Sequence, residues 1–570
     1  MYLQRTQNGL NPRGQQPQSN LQTTTVRSFE GGLNVSDTDL NMSPKFARIL
    51  DNMERQTDGS LALRPGTRLF SSDLWDVSVD VINHTYFNGY VIAVQASGAW
   101  TKVDGAGTGV NMELVAAPAG TRPWTNPTDY ASFAIFGSDL IGVNGKDKPI
   151  IVKGRTTDPN YMEAQYLVDE ASGSNINTPI GKYVVTFGQY LIIAGVASDP
   201  STIFISARGT SGTFFGDAAP NDGVNVDLGP RVSLGSSTIT GLVAYRDKLL
   251  VTFERGVIPL NLGIYTGDPG VHTPSDDGFI QEFGCLCHRS LVSVGDDTFF
   301  NDNIGVNSIN RVNVFNTLRP VRASHLIDPL TTASIQPLSE AQIQRYMFAI
   351  YDLRNFRYML FVPVFAEDGV TITETVCYSY TNIPTLKVQA WARLRGWKWQ
   401  SACRTSLQNI IFSRGDRLYS YDFDNQSTHA DRLGDPDVED GEGEPIAFDW
   451  ELPWADMKHR MNIKQIRYLA LDTTGTAKFT VRAYVDNIHN YHSVDSPLLS
   501  MQFTGGSAGG YGDTPYGDGP YGGGRRSSDE RLYAFVAKFK ILKLRFSGST
   551  RNPLRFVSIS LGYIPGSIRR

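Results

Sequence analysis

Seven times along its middle the chain runs a β-branched or aromatic stretch into a short polar turn and out into another such stretch, and nothing else in it limits the fold as tightly. The turns are Phe87-Asn-Gly-Tyr90, Phe136-Gly-Ser-Asp-Leu140, Phe187-Gly-Gln-Tyr-Leu191, Tyr245-Arg-Asp-Lys-Leu249, Phe300-Asn-Asp-Asn-Ile304, Leu353-Arg-Asn-Phe356 and Ser413-Arg-Gly-Asp-Arg-Leu418. Their starts lie 49, 51, 58, 55, 53 and 60 residues apart. A lone hairpin is marginal in water, so units recurring at about 50 residues must bury their faces against one another. The period predicts an all-β fold: a β-propeller of six or seven irregular blades over residues 81–430. A row of β-sandwich modules competes with it, because no tryptophan-aspartate or kelch signature marks the repeat.

Composition agrees with many short strands. Of 570 residues, 55 are glycine and 29 proline, with 11% aromatic and 41% hydrophobic, a balance that favours strands and turns over long helices. The net charge of −5 and pI near 6.0 exclude a surface that grips nucleic acid all over, since phosphate binding needs clustered cations. Four cysteines are too few for a disulfide framework, and no basic-then-apolar start resembles a secretory signal, so synthesis in the cytoplasm with reduced thiols is expected. No apolar run reaches the roughly 18 residues of a membrane-spanning helix.

Outside the repeat, residues 1–26 are polar and without apolar periodicity, which predicts a flexible arm. Residues 27–80 read as an extended entry segment. An acidic, turn-rich linker over 431–445 marks a boundary, and 446–570 alternates apolar and polar residues as a C-terminal β-domain. Within it, Lys464–Asp472 and Phe479–Asp486 read as two strands of one antiparallel sheet, and 505–524 as a Gly/Tyr-rich flexible loop.

The chemistry-bearing clusters are few. Cys285-Leu-Cys287-His288 offers soft ligands, but one intervening residue strains a shared metal; Cys377 and Cys403 have no histidine nearby in sequence, so the cysteines read as core of a strand. The acidic linker lacks the glycine position of a calcium loop. No Gly-x-Ser-x-Gly, His-Glu-x-x-His or phosphate-cradling loop occurs, and neither an enzyme, a metal nor a cofactor is expected. Trp391, Trp397 and Trp399 form an aromatic-basic cluster suited to a blade core or to an interaction surface. Between 525 and 570 eleven Lys or Arg face only Asp529 and Glu530. Among them Arg525, Arg526, Lys538, Lys540, Lys543, Arg545, Arg551 and Arg555 are candidate contacts to a neighbouring subunit.

The entry segment carries a resemblance. Its Gly31, Gly32 and Asn34, then Asn52, then Gly59, Leu61, Arg64, Pro65 and Gly66 are similar to the start of the tail nozzle of short-tailed bacteriophages, the family that includes tail tubular protein B and packaged-DNA stabilisation protein. Asp199–Gly209 resembles that family's recurring Pro-x-x-φ-x-φ-Ser turn, and Phe283–Gly295 with Phe299–Ile309 resembles one of its blades. The resemblance runs from about residue 27 to the end. It implies a virion tail protein: a homo-oligomer of six copies below the head-to-tail adaptor, contacting tail fibre or needle proteins, with double-stranded DNA passing through transiently. A glycan-binding or glycan-degrading tail protein using the three tryptophans is the alternative.

Overall fold

In a computed structural model the protein is mostly β, built of several small antiparallel sheets. The structure describes residues 21–565 apart from 27–28, 39–40, 116, 156–157, 169–177, 215–222, 234, 263–274, 277, 295–296, 313–316, 384–387, 422–429, 432–442, 458–461, 476, 487–498 and 505–528. Residues 1–20 of the predicted arm, most of the acidic linker and the Gly/Tyr-rich loop therefore lie outside the described residues, as do Arg525 and Arg526. No helix among the described residues is long and apolar enough to cross a membrane.

Seven sheets follow one another along the chain. Their first strands are Val81–Phe87, Ser132–Phe136, Tyr183–Phe187, Ile239–Tyr245, Val292–Val294, Phe348–Asp352 and Ser401–Arg404, beginning 51 to 56 residues apart. Each first strand pairs antiparallel with the second of its sheet. The period comes from these first strands more than from the turns. Five of the turns named above join first to second strands, whereas Phe300–Ile304 and Ser413–Leu418 join second to third. At the two-residue turns Asn88 and Arg246 take positive φ, as the twist of such a hairpin requires, and Phe356 does so at the end of the four-residue loop Leu353–Phe356.

The seventh sheet, Ser401–Arg404, Ile410–Arg414 and Arg417–Tyr421, gains its fourth strand from the other end of the chain: Thr67–Ser71 pairs antiparallel with Arg417–Tyr421. The first strands of successive sheets touch from the second sheet to the seventh, and Ser401–Arg404 touches Val81–Phe87 of the first. Between the first and second sheets, Asn83 donates to the carbonyl of Ala131 at 2.8 Å and Ile92, Trp100, Leu140 and Ile150 share one core.

Two helices, Asp328–Ile335 and Glu340–Tyr346, interrupt the β pattern between the fifth and sixth sheets. Composition gave no hint of them, yet the second is written locally: Ser339 accepts from the Gln342 amide while the Gln342 side chain caps the Ser339 N–H.

The C-terminal region is two facing sheets. One is ordered Asp529–Phe539, Lys464–Gly475, Leu554–Pro565, with Leu61–Leu63 and Gln22–Val26 along the far side of the last. The other is ordered Leu499–Thr504, Lys478–Asp486, Ile541–Thr550, Glu444–Glu451. The two strands expected in one antiparallel sheet thus part company: Lys464–Gly475 and Lys478–Asp486 lie in different sheets, because the chain turns at Gly475, with φ +99°, and crosses between layers. A bend at Lys540 likewise separates Asp529–Phe539 from Ile541–Thr550, which lie in different sheets. Alternation along Glu444–Glu451 buries Ile446, Phe448 and Trp450, and Trp450, Phe546 and Phe556 meet at 4.7 to 5.6 Å between ring centroids in the shared core. Burial of each such ring is worth on the order of 2–3 kcal/mol.

Gln22–Val26, placed by sequence in the flexible arm, is a strand paired with Leu554–Pro565 in the register Gln22↔Tyr563 to Val26↔Ile559. Threonine's β-branched side chain suits a strand whose partner supplies the backbone bonds.

Candidate functional site

The residues that carry the resemblance line the entry segment, and two of them, Asn52 and Arg64, meet in one buried junction. Gly31 lies so close to Phe46 that a Cβ would stand 2.4 Å from its ring. Gly32, with φ +66°, runs against the backbone of Trp391, which a Cβ would meet at 2.6 Å. Any larger residue would push the entry segment off the sixth sheet. Asn34 is buried and accepts from the amides of Ser36 and Asp37, turning the chain. Asp58 and Gly59, with φ +87°, make a turn, and Leu61 is core. Pro65 and Gly66 lead into Thr67–Ser71, Pro65 offering its carbonyl to Arg64.

Arg64 is the centre of the junction. Its side chain is 1% exposed, and all five N–H donors are used: Nε to Asn52 Oδ1 at 3.0 Å, one terminal nitrogen to Asp431 and the Pro65 carbonyl at 2.9 and 3.1 Å, the other to Asp431 and the Arg395 carbonyl at 2.5 and 3.2 Å. The guanidinium lies 4.2 Å from the Trp397 ring centroid. Burial opposes its charge, but Asp431, Tyr421 and Glu54 together outweigh burial and hold the Arg64 pKa above its ordinary value. Asn52, in the left-handed region at φ +57°, accepts from Arg64 and from the Arg395 amide at 2.7 Å and donates to the Ala447 carbonyl at 2.7 Å. One side chain thereby ties the entry segment to the sixth sheet and to the C-terminal region. Glu54 pairs with buried Arg357, and Arg393 grips Asp51 through two bonds of 2.6 and 2.8 Å.

The three tryptophans belong to the interior. Trp391, Trp397 and Trp399 are each at most 1% exposed. Trp391 stacks on Tyr380 at 4.6 Å and donates to the Ala323 carbonyl, and Trp399 stacks on Phe412 at 5.1 Å. The reading of these rings as an interaction surface is corrected: Trp391 packs in one core and Trp397 and Trp399 in another, a register shift between Leu394 and Trp397 interrupting the alternation of the strand Val388–Trp397.

Four of the candidate C-terminal cations have partners within the chain. Lys543 is buried against Glu451 at 3.0 Å, Arg545 binds Asp449 through two bonds and lies 3.9 Å from Glu451, Arg555 pairs with Asp58 and Ser60, and Arg551 donates to the Gly443 carbonyl. Lys540 is half-buried at the bend and offers its carbonyl to Lys464, while Lys538 lies in the strand Asp529–Phe539. As a candidate for a partner's surface Lys543 is corrected by its burial against Glu451, whereas Arg545 and Arg555 stay part-exposed beside their internal acids. Sequence could not reveal this because the acids lie 92 to 497 positions away.

A second polar cluster gathers where the first strands meet. Cys285 and Cys287 are not in a strand but in the loop entering a short 3-10 turn at His288–Ser290. Both thiols are buried; burial pushes Cys285 up to about 12, and Cys287 donates to the Met347 carbonyl at 3.2 Å. His288 accepts at Nδ1 from the Leu242 amide, bonds Ser132 through Nε2 and lies 5.1 Å from the Tyr183 ring. It retains part of its surface yet sits deep among protein atoms, and that burial lowers its pKa to about 4. Arg289 next to it donates to the carbonyls of Arg345 and Gln400 at 2.6 and 2.8 Å and faces the Phe348 ring. Residues of the second, third, fourth, sixth and seventh sheets thus close around one turn.

His84 completes this region from the first sheet, bonding Ser401 at 2.7 Å and the Ile411 carbonyl at 2.9 Å. A serine beside a histidine invites a nucleophile reading. Ser401 is fully buried and shares its hydroxyl with Ser413 at 2.6 Å, so no substrate atom can approach it in this structure. No group of three or more metal-binding side chains occurs among the described residues.

No protein-family model matches the chain, and no curated protein does. Among solved structures it is similar to a streptogramin B lyase, at 11% identity over 62% of this chain and 96% of that one, with a TM-score of 0.36. It is also similar to YCF48 bound to a D1 peptide, at 11% identity over 68% and 99% with a TM-score of 0.35. A mitotic checkpoint complex gives 9% identity over 65% and 96%, with a TM-score of 0.33. Likenesses this remote carry nothing about the activity of this chain.

Proposed function

We propose that the protein is a structural subunit of a phage tail nozzle, a seven-bladed β-propeller joined to a C-terminal β-sandwich, working as part of a ring that retains and then releases the genome. The propeller reading is supported by the first strands, which touch in sequence order and return from the seventh sheet to the first, and by Thr67–Ser71, which closes the seventh sheet from the opposite chain end. The observation that carries the family reading is that Gly32, Asn52 and Arg64 all seat on the strand Val388–Trp397, Asn52 and Arg64 in one buried junction. Those residues are what the resemblance rests on, and the junction is the reason a chain would keep them together.

In this reading DNA passes between copies. The turn at His288–Ser290 and the Arg289 side chain occupy the meeting point of the blades, so the centre of a single propeller is filled at that level. A negatively charged lumen formed by several copies would not hold phosphates, which agrees with the net charge of −5. The glycan reading loses its residues, since the tryptophans it used are buried.

Electron microscopy of the purified full chain, alone and mixed with a head-to-tail adaptor ring, tests the proposal. A sixfold ring that caps the adaptor is expected. A chain that remains monomeric and does not bind the adaptor would sink it.

A further inference from the structure

The C-terminal sandwich has two bare edges. Gln22–Val26 borders one sheet and pairs only with Leu554–Pro565, while Leu499–Thr504 borders the other and pairs only with Lys478–Asp486, among the described residues. Neither strand contains a charged residue or a proline. Natural sheets guard exposed edges with such residues, because a free row of N–H and C=O groups recruits another strand. The guards are present elsewhere in this chain: Asp158-Pro159 and Arg319-Pro320 lie in the outer strands of the second and fifth sheets, and Asp529-Glu530 begins the far edge of the sandwich.

The two bare edges lie at opposite ends of the sandwich. Lys478–Asp486, next to one of them, touches Asp529–Phe539, the strand farthest from Gln22–Val26 in the facing sheet. At the other end Glu444–Glu451 touches Met53–Arg55, on the side where Gln22–Val26 lies. The strands are of similar length, at five and six residues. Gln22–Val26 also buries little of itself, its side chains contributing hydrogen bonds from Thr23 to Tyr468 and from Thr25 to Ser560.

We propose that the edge Leu499–Thr504 of one copy pairs with the edge Gln22–Val26 of the next, making the sandwiches a continuous belt of second copies of this same chain. Two different surfaces at opposite ends give a head-to-tail contact, which generates a ring where the rotation closes and a filament where it does not. The pairing deepens the nozzle reading and rests on it only for closure at six copies.

The test uses the full chain and two guarded variants, Gln22→Lys with Thr24→Lys on one edge and Ser500→Lys with Gln502→Lys on the other, each checked for an unchanged melting temperature. Sedimentation velocity should show rings or filaments for the natural chain and monomers for either variant alone. Mixed, the variants still own one intact edge apiece, so a one-to-one heterodimer that grows no further is expected. Should a paired substitution unfold the chain, Thr24→Lys and Gln502→Lys alone serve in the same mixing test. Assemblies that persist in either variant, homodimers of a single variant, or a natural chain that stays monomeric would overturn the pairing. Rings abolished by the lysines but blind to the adaptor would remove the nozzle reading and leave the pairing, whereas adaptor-binding rings indifferent to the lysines would do the reverse.

Discussion

Arg64 and Asp431, 367 positions apart, face each other through two hydrogen bonds of 2.9 and 2.5 Å in the protein interior. A buried pair of this kind is costly to break from one side, because the remaining charge is stranded without water. Arg64→Met and Asp431→Leu should each lower stability by about 3–5 kcal/mol. The double replacement Arg64→Met with Asp431→Leu should cost much less than the sum. Denaturant unfolding of the four chains checks this, and simple additivity would show that the two side chains do not act as a pair.

Asn52 separates backbone from side-chain effects. Its positive φ suits asparagine and glycine, and its amide makes three hydrogen bonds. Asn52→Gly should cost about 2–3 kcal/mol from the lost bonds, and Asn52→Ala about 1 kcal/mol more from the strained backbone. Equal losses would mean that the conformation is not held in solution.

Trp399 reports whether the aromatic cluster is core. Trp399→Ala should lower stability by about 3–5 kcal/mol, as for other large aromatic truncations. Binding of the protein to capsule or cell-wall polysaccharide, measured by calorimetry, should be absent for both chains. A variant that folds unchanged yet loses glycan binding would return these rings to the surface.

Stability should fall on acidification. Burial lowers His84 and His288 to about 4 from the 6.5 of a free imidazole. Between those values the unfolded chain binds protons that the folded chain excludes, so stability declines below about 6.5 and levels off below about 4. Asp297 opposes this: burial, resisted by the Ser308 hydroxyl, raises it from 3.8 to about 6, so the folded chain holds a proton there that the unfolded chain releases. Melting temperatures from about pH 7 to about pH 4 should therefore drop for the natural chain, more steeply for Asp297→Asn and less steeply for His288→Gln. A natural chain that melts higher in acid would contradict these environments.

Local patterns made the β character legible. The period-two alternation of Ile446, Phe448 and Trp450, the Asn88-Gly89 turn and the Asp58-Gly59 turn each depend on a few neighbouring residues, and each stands where its chemistry places it. The Ser339-Gln342 capping box was equally readable as a helix start, although bulk composition masked it. Less legible was the use of the tryptophans: alternation says that Trp397 and Trp399 share a face, but only the opposing sheet decides whether that face meets solvent.

The sequence by itself determined an all-β chain of hairpins recurring at about 50 residues and the bends of its entry segment, because turn chemistry and side-chain alternation act over a few residues. Tertiary structure alone decided that Thr67–Ser71 completes the seventh sheet, that Lys464–Gly475 and Lys478–Asp486 belong to different layers, and that Lys543, Arg545 and Arg555 face acids of their own chain. Strand partners and buried ion pairs are chosen by proximity after collapse, and nothing in a local window records which distant carboxylate or strand edge will be the one within reach.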